Sequence, residues 1–225
     1  MSSVLGDLLP PALVIAVGPI QIIAVILLLF SRHATANSLA FLGGWIAGLA
    51  AVSAIAVIIE RPALEAADGN ASTLGAILQL LIGIGLIGLA VRQWRNRSAQ
   101  DESPKLPDWL TSIENVSPTR ALSLGLLLSG PNIKVVLLTL AAMMAVTEAN
   151  LRGTEALIAV LIYVVVASST VIVPVAGNLL LGERATSPLT TLRSWLERHY
   201  ASTTVVVLLI VGVVLSAKGI TTLIG

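Results

Sequence analysis

Ser129-Gly130-Pro131-Asn132-Ile133-Lys134 interrupts an otherwise apolar run, residues 121–146 (ALSLGLLLSGPNIKVVLLTLAAMMAV), and the reading of this stretch decides the fold. The run exceeds the roughly 20 apolar residues that carry a helix across the hydrocarbon core of a bilayer. At its middle, Pro131 removes a backbone donor and its ring crowds the carbonyl four residues earlier, while Gly130 accepts the resulting bend. A membrane-crossing helix broken near mid-depth is therefore expected. The same punctuation recurs in residues 8–30, where Gly18-Pro19-Ile20-Gln21 stands near the middle. Pro19 and Pro131 lie 112 residues apart in a chain of 225, so each holds the same place in its half.

Composition agrees with a lipid solvent. The chain is 56% hydrophobic and 11% charged, against about 25% charged in soluble domains. The net charge of +1 says nothing about nucleic acid, and no Lys/Arg run or aromatic-basic stripe points to such a partner. There is no cysteine, which excludes disulfides, thiolate metal centres and iron–sulfur clusters. Residues 1–9 contain Asp7 but no Lys or Arg, so the first apolar stretch is expected to remain as a permanent span rather than a cleaved signal.

Six stretches are long and apolar enough to cross: residues 8–30, 38–59, 71–91, 121–146, 156–181 and about 203–224. The expected fold is an all-α integral membrane protein, one domain over residues 1–225, with six transmembrane helices. The first three (about 8–91) and the last three (about 121–225) enter the membrane from opposite sides, separated by the polar loop 92–120. They therefore predict two inverted-topology three-helix repeats with broken first and fourth helices. Nine cations fall on the side of that loop and three on the side of the N-terminus, which predicts a cytoplasmic loop and both termini outside. Pro174 is expected to break the fifth span. Residues 107–116 and 189–199, with Trp109 and Trp195 among flanking charges, read as interfacial helices at headgroup depth.

The candidate binding residues follow from the two breaks. A helix that restarts at mid-membrane presents unpaired N–H groups at its positive end, a setting that favours anions. Gly18, Pro19, Gly130 and Pro131 make the breaks; Gln21 and Asn132 add amides; Lys134 is the single cation deep within a span. A lysine near the bilayer centre costs about 2.5–3.5 kcal/mol on insertion scales, so it is expected to face the bundle interior for a purpose. Phosphate, sulfate or carboxylate suits such a set. No Asp or Glu falls inside the expected spans, with Glu60, Glu148 and Glu155 at their ends, which disfavours cation or metal transport and leaves no proton-relay carboxylate. No catalytic residues and no cofactor are expected. Gly43, Gly44, Gly48, Gly83, Gly85 and Gly88 read as close helix contacts, within the chain or across a homodimer.

Residues 106–138 (LPDWLTSIENVSPTRALSLGLLLSGPNIKVVLL) resemble the glycolipid- or sulfolipid-addressing (GAP) proteins of the LysE transporter superfamily. There a Trp-bearing cytoplasmic segment leads through a Pro-Xaa-Arg-Ala turn into a helix broken at Asn-Pro-Lys. The N-terminal Gly-Pro and the segment LRSWL at residues 192–196 are similar too. Aligned on the proline, the family's Asn-Pro-Lys reads Gly130-Pro131-Asn132 here, and Lys134 lies two residues later, about 200° around a regular helix. The resemblance implies a bacterial cytoplasmic-membrane transporter or flippase that exports an envelope glycolipid or lipid-linked precursor. It implies partners in lipid biosynthesis or export as well. Export of a small metabolite such as an amino acid, and a non-transporting scaffold for lipid export, are the alternative readings.

Overall fold

The computed structural model describes residues 2–65, 71–97, 116–181, 205–206 and 208–224. Most of the described residues lie in helices: α1 (Ser2–Ala16), α2 (Pro19–Leu29), α3 (Ala34–Glu65), α4 (Ala71–Arg97), α5 (Pro118–Ser129), α6 (Ile133–Glu148), α7 (Gly153–Leu181) and α8 (Leu208–Ile224). α3, α4 and α7 are each long and apolar enough to cross a membrane. The pairs α1–α2 and α5–α6 pass the same test together, bent by 53° and 61° at their breaks, which raises the crossings to as many as five. The apolar α8 is shorter. Only a third of the most apolar window of α3, α4 and α7 is buried within the protein. Much of the remainder, including Ile58, Leu81 and Val173, is exposed, and an apolar surface of that extent belongs in lipid. The chain is a multi-pass membrane protein.

Two boundaries differ from expectation. α3 continues through Glu60, Arg61 and Pro62 to Glu65, residues that hydropathy alone assigns to a loop. α7 passes Pro174 without interruption, so that proline does not break its span. At Pro19 and Pro131 the preceding residue is glycine, which gives the backbone an escape from helical geometry; Pro174 follows Val173 inside packed helix. The expected interfacial helices 107–116 and 189–199 lie outside the described residues, Val116 excepted.

Glycine determines which helices meet. α3 packs most extensively on α5. A Cβ on Gly44 would strike the Leu122 carbonyl, and one on Gly125 would strike the Phe41 carbonyl and lie 2.7 Å from the Trp45 nitrogen. Gly48 faces Ser129, whose hydroxyl folds back to the Gly125 carbonyl at 2.9 Å. Backbones thus approach closely along this seam, as small residues permit in membranes. The Gly44–Gly48 pair is satisfied within the chain. A second glycine seam joins α4 to α8, where Gly83 faces Gly212 and Ser216, and Gly219 faces Ala76 and Leu80. Gly43 and Gly88 meet nothing. Asn37, fully buried, donates to the Ser31 hydroxyl at 2.8 Å and to the Val116 carbonyl at 2.9 Å, tying the α2–α3 turn to the entry of α5.

Candidate functional site

Both Gly-Pro pairs end one helix and start another. α1 stops at Ala16, Gly18 stands in extended geometry (φ −60°, ψ 118°), and Pro19 opens α2. The last carbonyls of a helix lack intrahelical partners, and here tertiary contacts supply them. The Gln21 side-chain amide turns back to donate to the Ile15 carbonyl, which also accepts from the Gly18 N–H at 3.0 Å. The Thr170 hydroxyl of α7 donates to the Ala16 carbonyl at 2.5 Å. Gln21 is 4% exposed, so this first break is sealed inside the bundle. The start of α2 differs: Gly18 provides no side-chain cap and Pro19 no N–H, leaving the next amides of the first turn as the positive end of the half-helix.

Gly18 has no freedom to carry a side chain there, because a Cβ would run into the Gln21 amide, 2.6 Å from its Oε1. Gly18→Ala therefore displaces Gln21 and loses the bond that Gln21→Ala deletes directly. Each variant should lower stability by about 1 kcal/mol, and the double variant should fall clearly short of their sum. Thermal unfolding of the three proteins checks this; simple additivity would mean that Gly18 and Gln21 act independently.

At the second break α5 ends at Ser129, Gly130 caps it through its N–H to the Leu126 carbonyl at 2.8 Å, and Asn132 begins α6. The Asn132 side chain accepts from the Lys134 N–H at 3.1 Å. Asn132 is thus an N-cap by a mechanism that many soluble helices use. Lys134 falls in the first turn of α6, where the helix dipole opposes its charge. Among the described residues no carboxylate pairs with it. Asn132 and Lys134 are half-buried and Pro131 is exposed, so this break lies nearer the surface of the bundle than the first.

The two broken pairs touch crosswise: α1 packs on α6, and α2 meets α5. No hydrogen bond joins Gln21 to Asn132 or Lys134 among the described residues. Behind Lys134, the α6 residue Thr139 bonds the fully interior Tyr163 of α7 at 2.8 Å. Two further buried hydroxyls, Ser53 on α3 and Ser168 on α7, have no hydrogen-bond partner among the described residues.

One polar region escapes the hydropathy reading. Glu60 lies within α3, 5% exposed, and accepts from Thr147 at 3.5 Å. It stands third from the end of the apolar crossing Ala34–Pro62, at the span end where the sequence puts it, but buried in the helix and not in a loop. At the same end, Gln79 donates to Glu148 at 3.0 Å, Arg61 to the Leu151 carbonyl at 2.7 Å, and Lys218 pairs with Asp7 at 2.6 Å. The signal available in sequence was helical phase: Glu60 continues the buried stripe of Ser53 and Ala56, at steps of three and four residues.

The sequence model of one protein family, described as Sap, sulfolipid-1-addressing protein, matches residues 8–221. No curated protein and no solved structure matches the chain.

Proposed function

The chain belongs to the sulfolipid-1-addressing protein family, and from that premise we propose that it translocates an envelope glycolipid or lipid-linked precursor with an anionic headgroup, acting by transport and not by catalysis. The observation that carries this reading is the pair of broken spans. The restart of α2 has no side-chain cap, and the restart of α6 bears a cation without a carboxylate partner among the described residues. An oxyanion at either restart gains a helix dipole, and at α6 an ammonium donor as well. The unpartnered hydroxyls of Ser53 and Ser168 offer further polar contacts in the bundle interior.

The proposed architecture is six crossings in two inverted repeats. Helix pairing supports it: α3 packs on α5 as α7 packs on α1, the exchange that a two-fold relation between halves requires. The proposed location is a bacterial cytoplasmic membrane with both termini outside, on the cation bias. The absence of native cysteine makes this directly testable. A cysteine replacing the exposed Thr119 at the start of α5 should react with an impermeant maleimide only after cells are permeabilised. Labelling in intact cells would reverse the orientation.

The function itself is tested by reconstituting the full chain in vesicles with a fluorescent sulfated glycolipid. An impermeant quencher reports lipid that has changed leaflet. Translocation should proceed well above the rate of protein-free vesicles. Equal rates, with correctly inserted protein, would leave a non-transporting scaffold as the better reading; movement of a soluble amino acid instead would favour small-metabolite export.

A further inference from the structure

A cavity of about 450 Å³ opens at the far end of α4, lined by Gly88, Val91, Arg92 and Arg95. These positions recur at steps of three and four residues, so they share one helix face. The absence of a side chain at Gly88 makes the room, since a Cβ there would meet nothing within 4 Å. Arg92 and Arg95 are the last residues of an apolar crossing that runs Thr73–Arg95. The exposed Trp94 between them suits the same layer, because tryptophan concentrates where hydrocarbon gives way to headgroups. Among the described residues no carboxylate pairs with either arginine. Two permanently charged, fork-shaped donors stand at headgroup depth beside an open volume.

We propose that this cavity is a receptor for the phosphate or sulfate ester of an anionic membrane lipid, held by Arg92 and Arg95 with its first chain carbons against Val91 and Gly88. Guanidinium binds such oxyanions through paired parallel hydrogen bonds, which favours them over the choline-bearing lipids whose charge is balanced. Basic pockets at the ends of transmembrane helices take anionic headgroups on this principle.

The cavity also has a direction. α4 and α6 run antiparallel as neighbours, with Gln79 bonded to Glu148 near one end and Gly85 within 3.5 Å of Leu137 further along. One turn beyond that contact, toward the arginines, stand Gly88 on α4 and Lys134 on α6. The innermost residue of the cavity is therefore level with Lys134. Arg95, Arg92 and Lys134 form a descending series of cations along this side of the bundle. Use of the cavity as a loading position for Lys134 rests on the transport reading; the binding of lipid does not.

The test uses the purified full chain equilibrated with micelles of equal phosphatidylglycerol and phosphatidylcholine, the lipids retained being counted by native mass spectrometry. The parent should retain phosphatidylglycerol preferentially. Arg92→Gln with Arg95→Gln should weaken that retention about thirtyfold, from about fivefold per arginine. Gly88→Leu fills the cavity while keeping both charges and raising helix propensity; it should lose the lipid with an unfolding midpoint no lower than the parent's, and it decides the matter should the double variant fail to fold. Inorganic sulfate at millimolar concentration should neither bind comparably nor displace the lipid. Undiminished preference in both variants, or sulfate binding as tight as the lipid's, would overturn the proposal. Retention is read without transport, so an inactive protein that still binds lipid through these arginines would defeat the transport reading alone.

Discussion

Gly125→Leu should be the most damaging single substitution in the described structure. The Gly125 α-carbon sits so close to α3 that even a methyl group would collide with the Phe41 carbonyl and the Trp45 nitrogen. Both are backbone atoms of a helix that also buries Trp45 and the stacked Phe41, ring centroids 6.4 Å apart. Neither can yield without moving α3 as a unit. Overpacking usually costs about 1–3 kcal/mol, and two backbone collisions at the main helix crossing put this case at the upper end, about 3 kcal/mol. Gly43→Ala is the matched control. It lies on the same helix as the Gly44–Gly48 seam, meets nothing within 4 Å, and should stabilise by up to about 1 kcal/mol through helix propensity. Thermal unfolding in detergent checks both. Equal midpoints for Gly125→Leu and the parent would rule out backbone contact between α3 and α5 at this position.

Lys134→Met should separate folding from ligand binding. The lysine lies in the first turn of α6, against the dipole and without a carboxylate partner among the described residues. Its charge does nothing for the helix, so the variant should insert and unfold at least as well as the parent. A charged hydrogen bond to an oxyanion in a partly dry site contributes about 1.5–3 kcal/mol, and its loss should weaken anionic-lipid translocation by about tenfold to a hundredfold. Lys134→Arg should retain part of the activity, because the charge survives while the planar fork demands different geometry. Translocation rates at matched reconstitution read the effect. If Lys134→Met moves lipid like the parent, the ammonium is not a ligand, and the uncapped start of α2 becomes the stronger anchor for the headgroup.

The breaks at Gly18-Pro19 and Gly130-Pro131 were legible because their cause is local. A proline with a glycine before it both removes a donor and frees the backbone, whatever surrounds it. The apolar lengths of the spans were legible for a similar reason, since bilayer thickness acts on each stretch alone. Proline by itself misled at Pro174, where the neighbouring packed helix keeps its course. Hydropathy misled at Glu60, which averages out of an apolar window although its own side chain is buried against α6.

The sequence by itself determined that this is a multi-pass helical membrane protein with two interrupted spans in matching positions, because those properties depend on composition and on neighbours along the chain. Only the tertiary structure decided what each polar or small residue does. Gln21 serves the Ile15 carbonyl and Thr170 the Ala16 carbonyl; Asn37 reaches Val116; the Gly44–Gly48 pair meets α5 and not a second copy; Gly88 leaves open a cavity beside two arginines. Most of these partners lie far away in the chain. Where a buried donor finds its acceptor, or a glycine its opposing backbone, is settled by how helices lie across one another, which no local pattern of residues encodes.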